Sequence, residues 1–175
     1  MAETNENVWA PWRMEYIEQL GDRDGDEGCF LCRYRDNPAD DQQNHVLWRS
    51  EHVLVLLNRF PYTNGHLLVA PTAHLGDIET VPEPVLIELA LRLRDAKRVL
   101  QQVVFAHGYN IGMNLGRCAG AGLPDHVHWH IVPRWRGDTN FMAVTGGVRI
   151  IPQSLDAVDE RFRRVAEQLG LPATP

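Results

Sequence analysis

The chain has 175 residues, a net charge of −6 at pH 7 and an apolar fraction of 44%. This length supports one domain with a substantial core and is too short for two of ordinary size. The acidic balance, without a basic block, argues against a nucleic-acid polymer as partner, and the polar, acidic start argues against a signal peptide or a membrane partner. Three cysteines argue against a disulfide framework and favour a cytoplasmic protein.

The chain begins with an aromatic-rich stretch, VWAPWRMEYIEQL, followed by the acidic run GDRDGDEG. We expect residues 1–28 to form an N-terminal arm that packs on the domain body or on a partner subunit. No linker or repeat interrupts the remainder, so residues 29–175 are predicted to form a single domain.

Short apolar runs predict strands around Val46–Trp48, over His52–Leu57, over His66–Ala70 and over Gly108–Leu115, with Asn64-Gly65 as a hairpin turn. A 3.6-residue apolar period predicts a long helix from Pro82 to about Ala106. A second helix, capped by Ser154, is predicted near the C-terminus. Strands gathered around one long helix, without strand–helix alternation, indicate an α+β fold with an antiparallel sheet.

Cys29 and Cys32, in CFLC, have the spacing of a zinc knuckle but supply only two of four ligands. Distant imidazoles are the natural complement. A redox pair is the rival interpretation, although no thioredoxin-like pattern surrounds these cysteines. The third interpretation is that the two cysteines are buried and have no functional relation to each other.

Three histidines alternate with apolar residues in HVHWHIV, at His126, His128 and His130. The alternation predicts a strand that presents the imidazoles on one face, with steps of roughly 6.5 Å between them. Such a row can share a metal, or one imidazole can attack phosphorus as a nucleophile. The preceding GAGLP loop favours the second interpretation, since its glycines let backbone N–H groups approach a phosphate.

HVHWHIV matches the signature of the histidine triad (HIT) family, and LVLLNRFPYTNGHLLVAPTAH and NIGMNLG…GAGLPDHVH resemble the segments that precede it in that family. The resemblance covers roughly two-thirds of the chain, in the expected order. APWRMEYI and PRWRGDTNFM resemble the bacterial branch related to diadenosine tetraphosphate (Ap4A) phosphorylases, or ATP adenylyltransferases. The resemblance implies a HIT-like fold, a five-stranded antiparallel sheet with one long central helix and a C-terminal helix.

The resemblance implies three catalytic histidines. His128 would be the nucleophile on the α-phosphorus and form a nucleotidyl intermediate. A carbonyl that accepts from its other ring nitrogen would fix its tautomer. His130 would hydrogen-bond the phosphoryl oxygens, and His66 would support the cluster.

The resemblance also implies a nucleotide-binding set. Asn58 would bind the ribose hydroxyls, with Leu56 and Leu68 beside the base, whereas Asn114 and the backbone at Gly120, Gly122 and Leu123 would contact phosphate. Many members have Gln, Ser or Thr at the positions of Gly122 and Leu123, where side chains assist the leaving group. Gly and Leu offer only backbone amides there, which leaves the substrate preference open.

Related proteins hold a structural zinc with a CxxC pair, a distant histidine and the first triad histidine. Cys29, Cys32, His74 and His126 match that pattern in type and order, so the resemblance implies a structural Zn²⁺ site. Cys118 is assigned no role and is expected to be small and buried. Mg²⁺ can accompany a polyphosphate substrate.

The resemblance implies that the protein is a nucleotide hydrolase or nucleotidyltransferase. It would act on Ap4A-like dinucleoside polyphosphates or related purine nucleotides, with phosphate or water as acceptor. The family also implies a homodimer. The alternatives are a nucleoside phosphoramidate hydrolase, a nucleotide-binding interaction module with little turnover, and a metal-dependent redox or hydrolytic site. Uridylyl transfer is disfavoured because those transferases carry HPHPQ.

Overall fold

The computed structural model describes residues 28–138 and 151–171. The strands are β1 Val46–Arg49, β2 Val53–Leu57, β3 Leu67–Pro71, β4 Gly108–Met113 and β5 Trp129–Arg134, and the α-helices are α1 Phe30–Asp36, α2 Glu83–Val104 and α3 Leu155–Gln168. The strands form one sheet in the order β1–β2–β3–β5–β4, and every pair is antiparallel. The predicted α+β fold with a five-stranded antiparallel sheet is confirmed.

The central hairpin of the sheet joins β2 to β3, as predicted, with Leu56 paired to Leu68. Both strands are buried along their whole length, so their apolar runs are continuous rather than alternating. Gly65 closes the turn with a φ of +77°, in the left-handed region that favours glycine. A Cβ at this position would lie 3.1 Å from the Val104 side chain, so the turn also packs closely on α2.

The two faces of the sheet pack against different helices. One face, with Val53, Val55, Val69 and Ile131, forms a core with the apolar sides of α2 and α3. The apolar residues of α3 and its C-cap lie in or against that core, at Leu155, Val158, Phe162, Val165 and Leu169. The opposite face, with Leu54, Leu56, Leu68 and Ala70, packs against α1. The histidine residues lie on this second face, because Val127 and Ile131 between and after them belong to the first.

The histidine segment differs from the prediction in one respect, since β5 begins at Trp129 and contains only His130. His126 and His128 precede the strand because Val127 donates its N–H to Leu75 O at 2.6 Å instead of to a neighbouring strand. β4 ends at Met113, two residues before the predicted end. The arm predicted over residues 1–28 lies outside the described residues apart from Gly28.

No helix in the described part of the chain combines the length and the apolar character needed to cross a membrane.

Candidate active site and metal centre

His128 lies directly before β5, and its side chain has one fixed hydrogen bond. Its Nδ1 lies 2.8 Å from the carbonyl oxygen of His126. A carbonyl can only accept, so the proton of the neutral ring is on Nδ1 and the lone pair is on Nε2. Burial lowers the pKa of His128, against the opposing effect of that hydrogen bond. The neutral ring therefore offers Nε2 as a nucleophile.

His66 and His130 form a hydrogen-bonded pair beside His128. His66 Nε2 lies 3.0 Å from His130 Nδ1, and the ring centroids of His128 and His130 are 4.9 Å apart. On its other side, His66 Nδ1 accepts the backbone N–H of Tyr62 at 3.1 Å. Burial, together with the neighbouring imidazoles of His130 and His128, lowers the pKa of His66 to about 3. His66 is therefore neutral, with its proton on Nε2, and donates to His130.

Asn58 follows the end of β2 and lies next to this pair. Its amide nitrogen is 3.3 Å from His66 Nδ1, and its Oδ1 accepts the backbone N–H of Phe60 at 3.0 Å. Leu56, Leu68 and Leu123 belong to the apolar cluster on the same face of the sheet and are nearly inaccessible to solvent. The predicted ribose and base residues thus lie on the histidine face.

The glycine-rich loop joins β4 to the histidine segment and begins with a short 3₁₀ turn, Arg117–Ala119. Gly116 and Gly120, on either side of this turn, have φ values of +76° and +84°. The Asn114 side chain donates to Gly120 O at 3.4 Å and so lies against the loop. Gly122 is half-buried in the same loop. Cys118 is exposed, so the expectation of a buried side chain was wrong. It lies in the short 3₁₀ turn, which has no buried residue.

Cys29, Cys32, His74 and His126 form a cluster whose ligand atoms all lie within 4.8 Å of one another. His126 Nδ1 is 3.1 Å from Cys29 Sγ, and His74 Nδ1 is 3.2 Å from Cys32 Sγ. The other nitrogen of His126, Nε2, lies 2.9 Å from Pro71 O and donates to it. This bond keeps Nδ1 unprotonated, as a metal ligand requires. The four residues can bind a metal ion.

His126 connects the metal cluster to His128. Its ring belongs to the metal cluster, whereas its carbonyl accepts from His128 Nδ1. Burial lowers the pKa of His126 to about 4, so the ring is neutral and able to ligate. His128 is not one of the four residues of the metal cluster, so its Nε2 lies outside that cluster.

Tyr62 is not predicted from the sequence. Besides its backbone bond to His66, its ring lies 4.6 Å from the His66 ring and 5.9 Å from the His130 ring, between centroids. It lies in the turn between β2 and β3, where no periodic pattern marks a residue for attention. Its position four residues before His66 is the only signal in the sequence.

Comparisons with known proteins show what this chain is similar to. A family model described as HIT domain matches residues 39–137. The AP-4-A phosphorylase of Mycobacterium tuberculosis is 36% identical over 153 residues, which cover 86% of this chain and 78% of that protein. The asymmetrical bis(5'-nucleosyl)-tetraphosphatase of Schizosaccharomyces pombe is 32% identical over 95 residues, covering 54% of this chain and 52% of that protein.

Among solved structures, a Zn-bound histidine triad family protein from Mycobacterium smegmatis has a TM-score of 0.67 and 27% identity. The match covers 83% of this chain and 98% of that one. The family model spans more than half of the sequence, and the described residues share the fold of that solved relative. This chain therefore belongs to the HIT domain, or histidine triad, family.

Proposed function

We propose that this enzyme cleaves dinucleoside polyphosphates such as Ap4A, or related nucleotides, at the α-phosphorus through a covalent AMP–His128 intermediate. The observation that carries the proposal is the bond from His128 Nδ1 to His126 O, because it leaves Nε2 unprotonated. The names of the two sequence relatives, a phosphorylase of Ap4A and a tetraphosphatase, support the substrate class.

The reaction proceeds in two displacements. His128 Nε2 attacks the α-phosphorus of Ap4A, the bond to the bridging oxygen breaks and ATP leaves with the electron pair. An acceptor oxygen then attacks the same phosphorus, and the bond to Nε2 breaks. Phosphate as acceptor gives ADP, whereas water gives AMP. During both steps, His130 Nε2–H donates a hydrogen bond to a phosphoryl oxygen, where negative charge develops.

The nucleotide is bound on the histidine face of the sheet. Asn58 binds the ribose hydroxyls beside His66 and His130. Leu56 and Leu68 flank the base. Asn114 and the loop residues Gly120, Gly122 and Leu123 contact the phosphates, the loop through its backbone amides. Support comes from the closeness of Asn58 to His66 and from the left-handed glycines of the loop.

A structural Zn²⁺ ion is bound by Cys29, Cys32, His74 and His126. Two thiolates and two imidazoles are a common tetrahedral donor set for zinc, and the bond from His126 to Pro71 O is the kind that orients a ligating imidazole. The Zn-bound relative of known structure supports the choice of metal. Mg²⁺ would accompany the substrate, bound to the oxygens of its polyphosphate.

The functional unit is a homodimer formed through the β4 edge of the sheet. β4 is the last strand in the sheet order, and Ile111 on it is half exposed. An exposed strand edge offers unpaired backbone groups to a second copy of the chain.

The test is incubation of the purified protein with Ap4A, with and without phosphate, followed by chromatography of the products. His128→Asn should abolish turnover, whereas the matched control His52→Asn, an exposed histidine, should retain it. ADP with ATP, formed only with phosphate, means phosphorolysis, and AMP with ATP means hydrolysis. Equal activity of the His128→Asn and wild-type proteins contradicts the proposal.

A further inference from the structure

Tyr62 makes two independent contacts with the pair formed by His66 and His130. Its backbone N–H donates to His66 Nδ1 at 3.1 Å. Its ring lies against both imidazoles, with an interplanar angle of 36° to His66 and of 21° to His130. Tyr62 therefore contacts the pair through its backbone and through its side chain.

The backbone contact sets the direction of the hydrogen bonds. Because Tyr62 N–H can only donate, His66 Nδ1 must accept, and the proton of neutral His66 is on Nε2. His66 Nε2–H then donates to His130 Nδ1, 3.0 Å away. The proton of neutral His130 is consequently on Nε2, on the side of the ring away from His66.

The ring contact restrains the planes of the two imidazoles. The terminal torsion of a histidine is broad and roughly two-fold, so rotation would exchange ring nitrogens for carbons. Such a rotation must pass through an orientation perpendicular to the neighbouring ring. The tilted and stacked contacts with the Tyr62 ring, at 4.6 Å and 5.9 Å between centroids, would be lost in that orientation, so they favour the observed ring planes.

We propose that Tyr62 is a positioning residue that holds His66 and His130 in the orientation in which His130 Nε2–H faces the phosphoryl oxygen. The catalytic part of this inference rests on the proposed nucleotidyl transfer, whereas the orientation of the rings does not. The aromatic face of Tyr62 is the part that matters, so a phenylalanine at this position should hold the two imidazoles equally well.

The first arm of the test needs no substrate. Long-range ¹H–¹⁵N spectra of the histidine rings, assigned with His66→Asn and His130→Asn, should show both rings protonated on Nε2 in the wild type and in Tyr62→Phe. Tyr62→Leu should show mixed or exchange-broadened tautomers. Tyr62→Met, which keeps the volume without an aromatic face, replaces Tyr62→Leu if that variant does not fold. A wild-type spectrum in the non-aromatic variant overturns the proposal.

The second arm measures turnover of Ap4A. Tyr62→Leu should lower kcat by about tenfold with KM within about twofold of wild type, and Tyr62→Phe should restore kcat. Phe105→Leu, an exposed aromatic residue outside the site, is the matched control and should leave both constants unchanged. A raised KM with unchanged kcat would mean that the ring contacts substrate, and would overturn the positioning role. No turnover by the wild type would contradict the proposed function, while the tautomer spectra would still decide this inference.

Discussion

At the scale of single residues, the chemistry depends on which nitrogen of each histidine carries the proton. Backbone groups settle this for His128, His126 and His66, through His126 O, Pro71 O and the N–H of Tyr62. Each ring is thereby left with one defined nitrogen for its task. The same residue type can therefore serve as a nucleophile, as a metal ligand or as a hydrogen-bond donor.

His66 should make stability depend on pH. Its pKa is about 3 in the folded protein against about 6.5 in the unfolded chain. Below pH 6.5 the unfolded chain gains a proton on His66 that the folded protein does not, so folding becomes less favourable as the pH falls. The loss due to His66 should reach about 2 kcal/mol at pH 5.

Urea denaturation of wild type and His66→Gln at pH 7 and pH 5 checks this. The free energy of unfolding of His66→Gln should fall less between these values than that of wild type, and His52→Gln, at an exposed position, should follow the wild type. Equal losses in wild type and His66→Gln would show that His66 is not a source of the pH dependence.

The close approach of His66, Asn58 and His130 could be expected from the family motifs, because a motif fixes residue types at positions in the fold. Tyr62 could not, since a stacking contact in a turn leaves no periodic mark on the sequence. The contact of His45 could not be expected either: this residue is buried and its Nδ1 lies 3.1 Å from Asp159 Oδ2. A partner 114 residues away is invisible to sequence spacing.

At the scale of elements, the short helix α1 and its N-cap residue Cys29 supply two of the four residues of the metal cluster. Arg49 of β1 donates to Tyr34 O and Arg35 O at the end of α1 and forms a partly buried ion pair with Asp41. The carboxyl end of α1 is thus attached to β1 by charged groups, and its first turn to the histidine segment by the metal cluster.

Removal of a metal-binding cysteine should release the metal. Metal analysis should find about one zinc per chain in the wild type, in His128→Asn and in the control Cys118→Ser, and none in Cys29→Ser. The control cysteine is exposed and outside the cluster. Loss of zinc in His128→Asn, or its retention in Cys29→Ser, would be incompatible with the assigned ligands.

Asp159 attaches α3 to the start of β1. Its carboxylate accepts from His45 and pairs with Arg163, whose guanidinium also donates to Val46 O at 2.8 Å. Asp159→Ala removes the carboxylate that buried His45 and half-buried Arg163 share, and it should lower the free energy of unfolding by about 3 kcal/mol. Glu160→Ala, next to it and exposed, should change stability little. Chemical denaturation of both variants is the measurement, and similar values would contradict the attachment.

The long helices were predictable from the sequence, and the short helix α1 was not. α2 has 22 residues, enough for the apolar period to be read, and its predicted start and end differ from the structure by only one or two residues. α1 has seven residues, about two turns, which is too short for a period to be distinguished from chance. The CxxC pair marked its place without indicating that it is helical.

At the scale of the whole molecule, the order of the strands places the site. β5 lies between β3 and β4, so the histidine segment runs beside the central hairpin that carries His66 and Asn58. The sequence predicted the β2–β3 hairpin from its turn, a local signal. The position of β5 between β3 and β4 involves long-range pairing, for which only the family resemblance gave an expectation.

The proposed dimer makes a prediction at the same scale. Ile111→Glu places a charge on the exposed edge strand β4 and should shift the sedimentation profile toward a monomer. Ile87→Glu, on the exposed side of α2, is a control for the added charge and should leave the profile unchanged. An Ile111→Glu protein that sediments like the wild type would place the interface elsewhere.

The most direct test of the mechanism is detection of AMP on His128. The protein is mixed with Ap4A without added phosphate, quenched under alkaline conditions that preserve a phosphorus–nitrogen bond, and analysed by intact-mass and peptide mass spectrometry. We predict one AMP per chain, located in the peptide containing His128 and absent from His128→Asn. AMP bound to a residue other than His128, or unchanged adduct formation in His128→Asn, would contradict the covalent mechanism.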